Sequence, residues 1–286
     1  MGLRRVLWRL GCFLSGLGVL YAFQRPFREF DGVEYRIGDI PLPPDYREKA
    51  EWAFARLMFP PGPLDGYRLE GNRFQGDWHY GLSLWTQDFP RADRHFSLAV
   101  RRLTRIAVRS VEQCVNLDEG DAYDWPWLYS VQLGEGGLTQ QQAKELREYL
   151  LRGGFFLADD FHGAAEWEEF EKRIKVAFPD RPILDIPESD AIFHTVYDLS
   201  DRYQIPGRAW VGRGYKRPIF AASPTDGKGA QWRAIYDEKG RILVAITSNS
   251  DMGDAWEWAD DPRYPAKFSD LAIRVGVNYI VYAMTH

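Results

Sequence analysis

The chain has 286 residues, of which 45% are hydrophobic and 27% charged, with a formal net charge of -5. That is enough for one large domain or two small ones, and too apolar for a disordered chain. No global basic field exists to hold nucleic-acid phosphates, so a nucleic-acid partner is not expected.

Residues 1–23 stand apart from the rest. Arg4, Arg5 and Arg9 form a basic start, and Leu10 to Phe23 is an uncharged apolar run. A membrane span needs about 20 apolar residues, so this shorter run fits the core of an export signal or an uncleaved anchor. Arg4-Arg5-Val6-Leu7 also has the form of a twin-arginine export start. The expectation is an exported protein, periplasmic or held at the inner membrane by this segment, with no other membrane contact. Beyond it Cys114 is the remaining cysteine. A disulfide framework within the mature chain is therefore excluded, and folding must rest on a conventional core.

Residues 24–50, with Pro41, Pro43 and Pro44, read as a linker, and 51–286 as the folded domain. Trp52 to Phe59 alternates like a strand and stops at Pro60-Pro61-Gly62. Residues 60–90 read as a long surface loop, in which Trp78-His79-Tyr80 could cover a pocket. Asp93 is expected to cap a helix whose apolar face is Phe96, Ala99, Val100 and Leu103. Ile106 to Leu117 then alternates again, with Cys114 as a strand residue.

The central block is clearest. Pro126 to Val131 reads as a buried strand, and Thr139 with Gln142 as a capping box opening a helix with Leu138, Ala143, Leu146, Tyr149 and Leu150 on its apolar face. Gly153-Gly154 ends that helix. Phe155 to Ala158 is an apolar strand covered on both faces, and Trp167, Phe170, Ile174 and Phe178 mark a second helix. Strand, helix, strand, helix with short connections predicts an α/β fold with a mainly parallel sheet. Ile183 to Ile186 and Ile192 to Leu199 read as extended. Trp232 to Tyr236 and Ile242 to Thr247, around Asp237-Glu238-Lys239-Gly240, predict an added β-hairpin. A largely buried helix carrying Phe268, Leu271, Ala272, Val275, Tyr279 and Tyr282 closes the chain.

In open parallel sheets ligands bind outside the carboxyl ends of the strands. The strand at 155–158 runs into Asp159, Asp160 and His162. Asp160 and His162 are the candidate acid–base pair, since a carboxylate and an imidazole leave one strand end together. Adjacent residues face opposite ways, so one of Asp159 and Asp160 should face the crevice while the other caps the helix beginning near Ala164. The glycine-rich turn after Val131 would present Glu135 to a ligand. Asn249, Asp251, Asp254, Trp256 and Glu257 follow the second hairpin strand, and carboxylates beside aromatic faces suit a sugar or a cation. Arg56 on the first strand and His194 complete the candidate ligand-binding set. His194 reads either as a hydrogen-bonded core residue or, with His162 and Asp160, as part of a metal site, although the spacing matches no recognised motif. No nucleotide, zinc or serine-elbow motif is present, so no cofactor and no metal are expected.

The runs LREYLLRGGFFLADDFHGAAEWEEFEKRIKVAFPDRPILDIP, IFHTVYDL and DMGDAWEWADDPRYPAKFSDLAIRVGVNYIVYAMTH resemble an uncharacterised bacterial family, the domain of unknown function numbered 4159, over roughly residues 50–286. That family is similar to the class I glutamine amidotransferase-like superfamily. The resemblance implies a flavodoxin-like three-layer fold. It also implies a turn after a central strand where the superfamily carries a cysteine. The corresponding turn here, Val131-Gln132-Leu133-Gly134-Glu135, has none, so thiol-based glutamine hydrolysis is not expected. Three functions follow: a ligand-binding or accessory envelope domain, with a small polar ligand or carbohydrate as partner; a hydrolase using Asp160 and His162; or a scaffold whose aromatic loop docks a protein.

Overall fold

The structure is a computed structural model that describes residues 25–65, 77–211 and 229–286. The export or anchor segment lies outside the described residues. Seven strands form one sheet: β1 (Ala55–Leu57), β2 (Gln113–Val115), β3 (Trp127–Val131), β4 (Phe155–Asp159), β5 (Leu184–Asp185), β6 (Gln231–Tyr236) and β7 (Ile242–Ser248), in the order β2-β1-β3-β4-β7-β6-β5. β2, β1, β3, β4 and β7 are parallel, while β6 and β5 pair antiparallel at one edge. This is the α/β fold with a mainly parallel sheet and an antiparallel hairpin.

The helices are α1 (Arg91–Leu103), α2 (Gln140–Leu151), α3 (Gly163–Ala177), α4 (Arg208–Val211), α5 (Met252–Glu257) and α6 (Ala266–Thr285). Every residue of β1, β3, β4 and β7 is buried, because helices cover both faces of the sheet. Leu128, Phe156 and Ala158 meet Leu146 of α2 and Phe170 and Ile174 of α3 on one face. Trp127, Tyr129 and Leu157 meet Phe96 of α1, Trp256 of α5 and Val275 and Tyr279 of α6 on the other. The alternation of side chains along each strand sorts the two cores. Thr139 and Gln142 form the capping box of α2, and Gly153 beyond its end has φ +113°. No described helix is long and apolar enough to cross a membrane.

Several elements differ from the expectation. The strand over 52–59 narrows to β1, with Trp52 only bridging Val108. Of Ile106 to Leu117 only β2 is strand, because buried Arg109 turns back to the carbonyls of Val111 and Glu112 and interrupts the ladder. Ile192 to Leu199 is not extended. Asp190 caps a 3-10 turn at Ala191–Phe193, and the Asn278 side chain of α6 holds the backbone of Val196 and Tyr197. Asp93 does not cap α1, whose N-cap is Pro90. It is buried inside the first turn and paired with Arg56. Residues 25–50 lie against the domain rather than spanning free space: Arg94 Nη1 donates to the carbonyl of Ile40, and Tyr35 hydroxyl to Glu257.

Candidate functional site

Val131 on β3 pairs with Asp159 on β4, and Asp159 with Thr247 on β7. This register ends three neighbouring strands at one level. The first residue after each strand, one place later on β7 because it runs on to Ser248, is non-glycine in the left-handed region: Gln132 (φ +47°), Asp160 (φ +53°) and Asn249 (φ +59°). Such backbone costs on the order of 1–3 kcal/mol per residue, less for Asn and Asp, and concentrates where side chains are aimed for a task. Asp88, just ahead of α1 at the same edge of the sheet, is a fourth (φ +61°).

Asp159 and Asp160 divide their work. Asp159 Oδ2 accepts from the backbone N–H of Met252 (2.8 Å) and Gly253 (3.2 Å), so it caps α5 rather than the expected helix near Ala164. The register decides this, because Asp159 points to the sheet face that carries α5. The start of α3 is served by other groups: Asn249 Oδ1 accepts from Gly163 N (2.9 Å), and Glu166 Oε2 from His162 N (2.6 Å). Asn249 is therefore a buried clamp between β7 and α3.

Asp160 turns the other way. Its Oδ1 lies 2.7 Å from His162 Nε2, and hydrogen bonds from Gln132 and Asp251 reach the same carboxyl. Burial, then the Asp254 charge, pushes Asp160 up to about 8. Burial pushes His162 down to about 4. Burial thus favours the protonated carboxyl of Asp160 and the neutral imidazole of His162. Glu166 is pushed up to about 7, chiefly by burial, with Glu135 adding to the rise. Glu135 is thus grouped with Glu166, behind His162. The glycines around it serve packing: a Cβ at Gly134 would stand 2.8 Å from the carbonyl of Glu166, and one at Gly136 would enter the Phe59 ring. That turn approaches protein, not ligand.

Asp88, Asp160 and Asp251 each offer an oxygen within 4.8 Å of the others, and Glu34, Asp88 and Glu257 do the same. Asp88 belongs to both groups. Burial drives Asp88 and Asp251 well above the carboxylate range, with neighbouring carboxylates adding to the rise. Burial and then Glu34 push Glu257 up to about 9. Glu34, on the open side, rises to about 6. Asp254 accepts from Arg208 N (2.5 Å) and Trp258 Nε1 (3.1 Å).

Besides Asp159, Asn249 and Glu135, three further predicted ligand residues do not meet this cluster. Trp256 is fully buried and stacks on Phe96 at 4.4 Å, so it offers no aromatic binding face. Trp258 is half-buried, between Arg91 and Arg208. Arg56 is also fully buried. Its guanidinium pairs with Asp93 and donates to the carbonyls of Trp85 (3.1 Å) and Gln87 (3.0 Å), which fixes the segment that carries Asp88. His194 is exposed and engaged with Glu188 and Asp198, not with Asp160 or His162, which removes the three-residue metal reading. Trp78–Tyr80 forms a short helix whose Trp78 carbonyl accepts from Trp85 Nε1.

Asp88 and Glu34 were missed. Glu34 precedes every described strand and carried no signal, whereas for Asp88 the signal was positional: a long connection leaving a parallel strand belongs at the carboxyl edge, where ligands bind. Nothing local in Gln87-Asp88-Phe89-Pro90 marks it.

Residues 77–284 match the family model described as domain of unknown function DUF4159, and the chain belongs to that family. No curated protein matches it.

Proposed function

We propose that this member of the family is a ligand-binding or accessory domain of the cell envelope, exported or anchored by residues 1–23, which takes a small polar ligand at the carboxyl edge of its sheet. The observation that carries this reading is Asp160. It sits in the left-handed region at the end of a central strand, 4% exposed, held by His162 and gathered with Asp88 and Asp251. The likeness to glutamine amidotransferase-like proteins is part of the same proposal. It is supported by the sharp turn at Gln132, an amide where that superfamily has a thiol. Cys114 lies on β2, buried, its thiol pushed up by burial, so it is a poor nucleophile.

A protonated Asp160 against a neutral His162 also suits proton transfer, which favours a second reading as a hydrolase of a glycan or similar polar substrate. Protein docking through the aromatic loop loses its main support, because Trp256 is part of the core.

A thermal-shift screen of the full chain against sugars, peptidoglycan fragments and polar amines tests the first reading, since a ligand of the native state raises Tm. The expected result is a rise for at least one class, lost in Asp160→Ala. Turnover of a glycan that disappears in His162→Ala would select the hydrolase. A response that survives both substitutions would overturn the assigned site.

A further inference from the structure

Carboxylates gathered in a buried place must share protons, hold a cation, or separate. Here they do not separate. Asp88 is 1% exposed, Asp160 4% and Asp251 7%, and their oxygens lie within 4.8 Å of one another. No Lys or Arg side chain pairs with these three among the described residues. The cluster also holds oxygens without a partner. Asp88 Oδ2 and Glu257 Oε2 are buried and accept no hydrogen bond, although each residue is only 1% exposed. Asp88 Oδ2 occupies the space a side chain at Gly253 would need: a Cβ there would stand 2.2 Å from it. Buried acceptors left this way in a native fold call for a proton, a water or an ion, and several carboxylates gathered at one place favour the ion.

We propose that Asp88, Asp160 and Asp251 bind a hard divalent cation at the carboxyl edge of the sheet, with buried Glu257 beside it and Glu34 on its open side. The inference rests on the reading of this edge as the ligand site and deepens it. All the donors are carboxylate oxygens, which suit calcium, magnesium or manganese rather than zinc or copper. Ligands facing each other across calcium lie about 5 Å apart, and across magnesium about 4 Å, so the observed spacing accepts either with little movement. The cation neutralises the charge of Asp88, Asp160 and Asp251. It then offers open coordination positions to the polar groups of a ligand.

The test uses the full chain, titrated calorimetrically with calcium, magnesium and manganese chlorides, beside thermal shifts in the same salts. Asp88→Asn is the decisive variant. Asn tolerates the left-handed backbone and keeps the shape while removing the charge. Glu257→Gln probes the neighbouring group of carboxylates, and Asp121→Asn is the control outside the cluster. Saturable binding of at least one ion is expected, weakened tenfold or more by Asp88→Asn, weakened less by Glu257→Gln, and unchanged in Asp121→Asn. No saturable binding up to millimolar ion, or equal affinity in wild type and Asp88→Asn, overturns the cation site. If no ion binds saturably and a sugar or amine still raises Tm through Asp160 in chelator-treated protein, the cation inference falls while the ligand-site reading stands. Cation binding lost in Asp88→Asn without any organic ligand leaves the inference standing and removes that reading.

Discussion

Replacing Arg56 by Met would show how the candidate site is held. The guanidinium is fully buried and forms three bonds with Asp93 and one each with the carbonyls of Trp85 and Gln87. Met fills similar volume but leaves Asp93 without its strongest opposite charge. Breaking a buried pair from one side costs about 3–5 kcal/mol. The two carbonyls add about 1–3 kcal/mol each unless residues 85–88 move to let water in. For a domain of ordinary stability, about 5–15 kcal/mol, this is a large part of the total. At about 2–4 °C per kcal/mol, Tm should fall by roughly 10–40 °C, the low end applying if water reaches the two carbonyls. The pH dependence is more specific. Burial already raises Asp93 to about 6, against the pull of Arg56, and removing Arg56 raises it further. A carboxyl whose folded pKa lies above its unfolded value contributes fully below the unfolded pKa and loses that stability as pH rises. The deficit of Arg56→Met, measured by urea unfolding, should therefore be smaller at pH 5 than at pH 8. Adding Asp93→Leu should recover part of it at pH 8. A loss under 1 kcal/mol, or a deficit independent of pH, would refute the buried pair.

Gly253→Ala removes a helical glycine, which in an open helix gains about 1 kcal/mol. Here the new Cβ would sit 2.2 Å from Asp88 Oδ2 and 2.9 Å from the Tyr129 hydroxyl, so chemical denaturation should instead show a loss of about 1–3 kcal/mol. Trp256→Ala should cost about 3–5 kcal/mol as a core deletion, while ligand shifts measured well below Tm persist. Loss of binding with stability intact would restore Trp256 as a contact. Asp121 is buried with neither carboxyl oxygen hydrogen-bonded, and burial raises it to about 6. Its contribution is full below about pH 4 and disappears as pH passes 6, so Asp121→Asn should gain about 1–3 kcal/mol at pH 7 and nothing at pH 4. Equal effects at both pH values would contradict a raised pKa.

Sequence periodicity reached the elements whose identity is local. β3, β4, α2, α3, the β6–β7 hairpin and α6 were legible because both faces of each strand are covered, and because caps and glycine stops are written within a few residues. Placing Asp160 and Asp251 at one edge followed from parallel strands alone. The short strands β1 and β2 were over-read, since alternation continues beyond the few residues that find a ladder partner. The roles of Arg56, Asp93, Asp159, Asn249 and Trp256 were decided by tertiary structure. Each is polar or aromatic in a way that suits a ligand, yet each is used by a distant segment: Trp85 and Gln87, α5, Gly163, or Phe96. Asp88 and Glu34 entered the cluster by the same route. A carboxylate's partner depends on which chain segment folds back over it, and no spacing within the sequence records that distance.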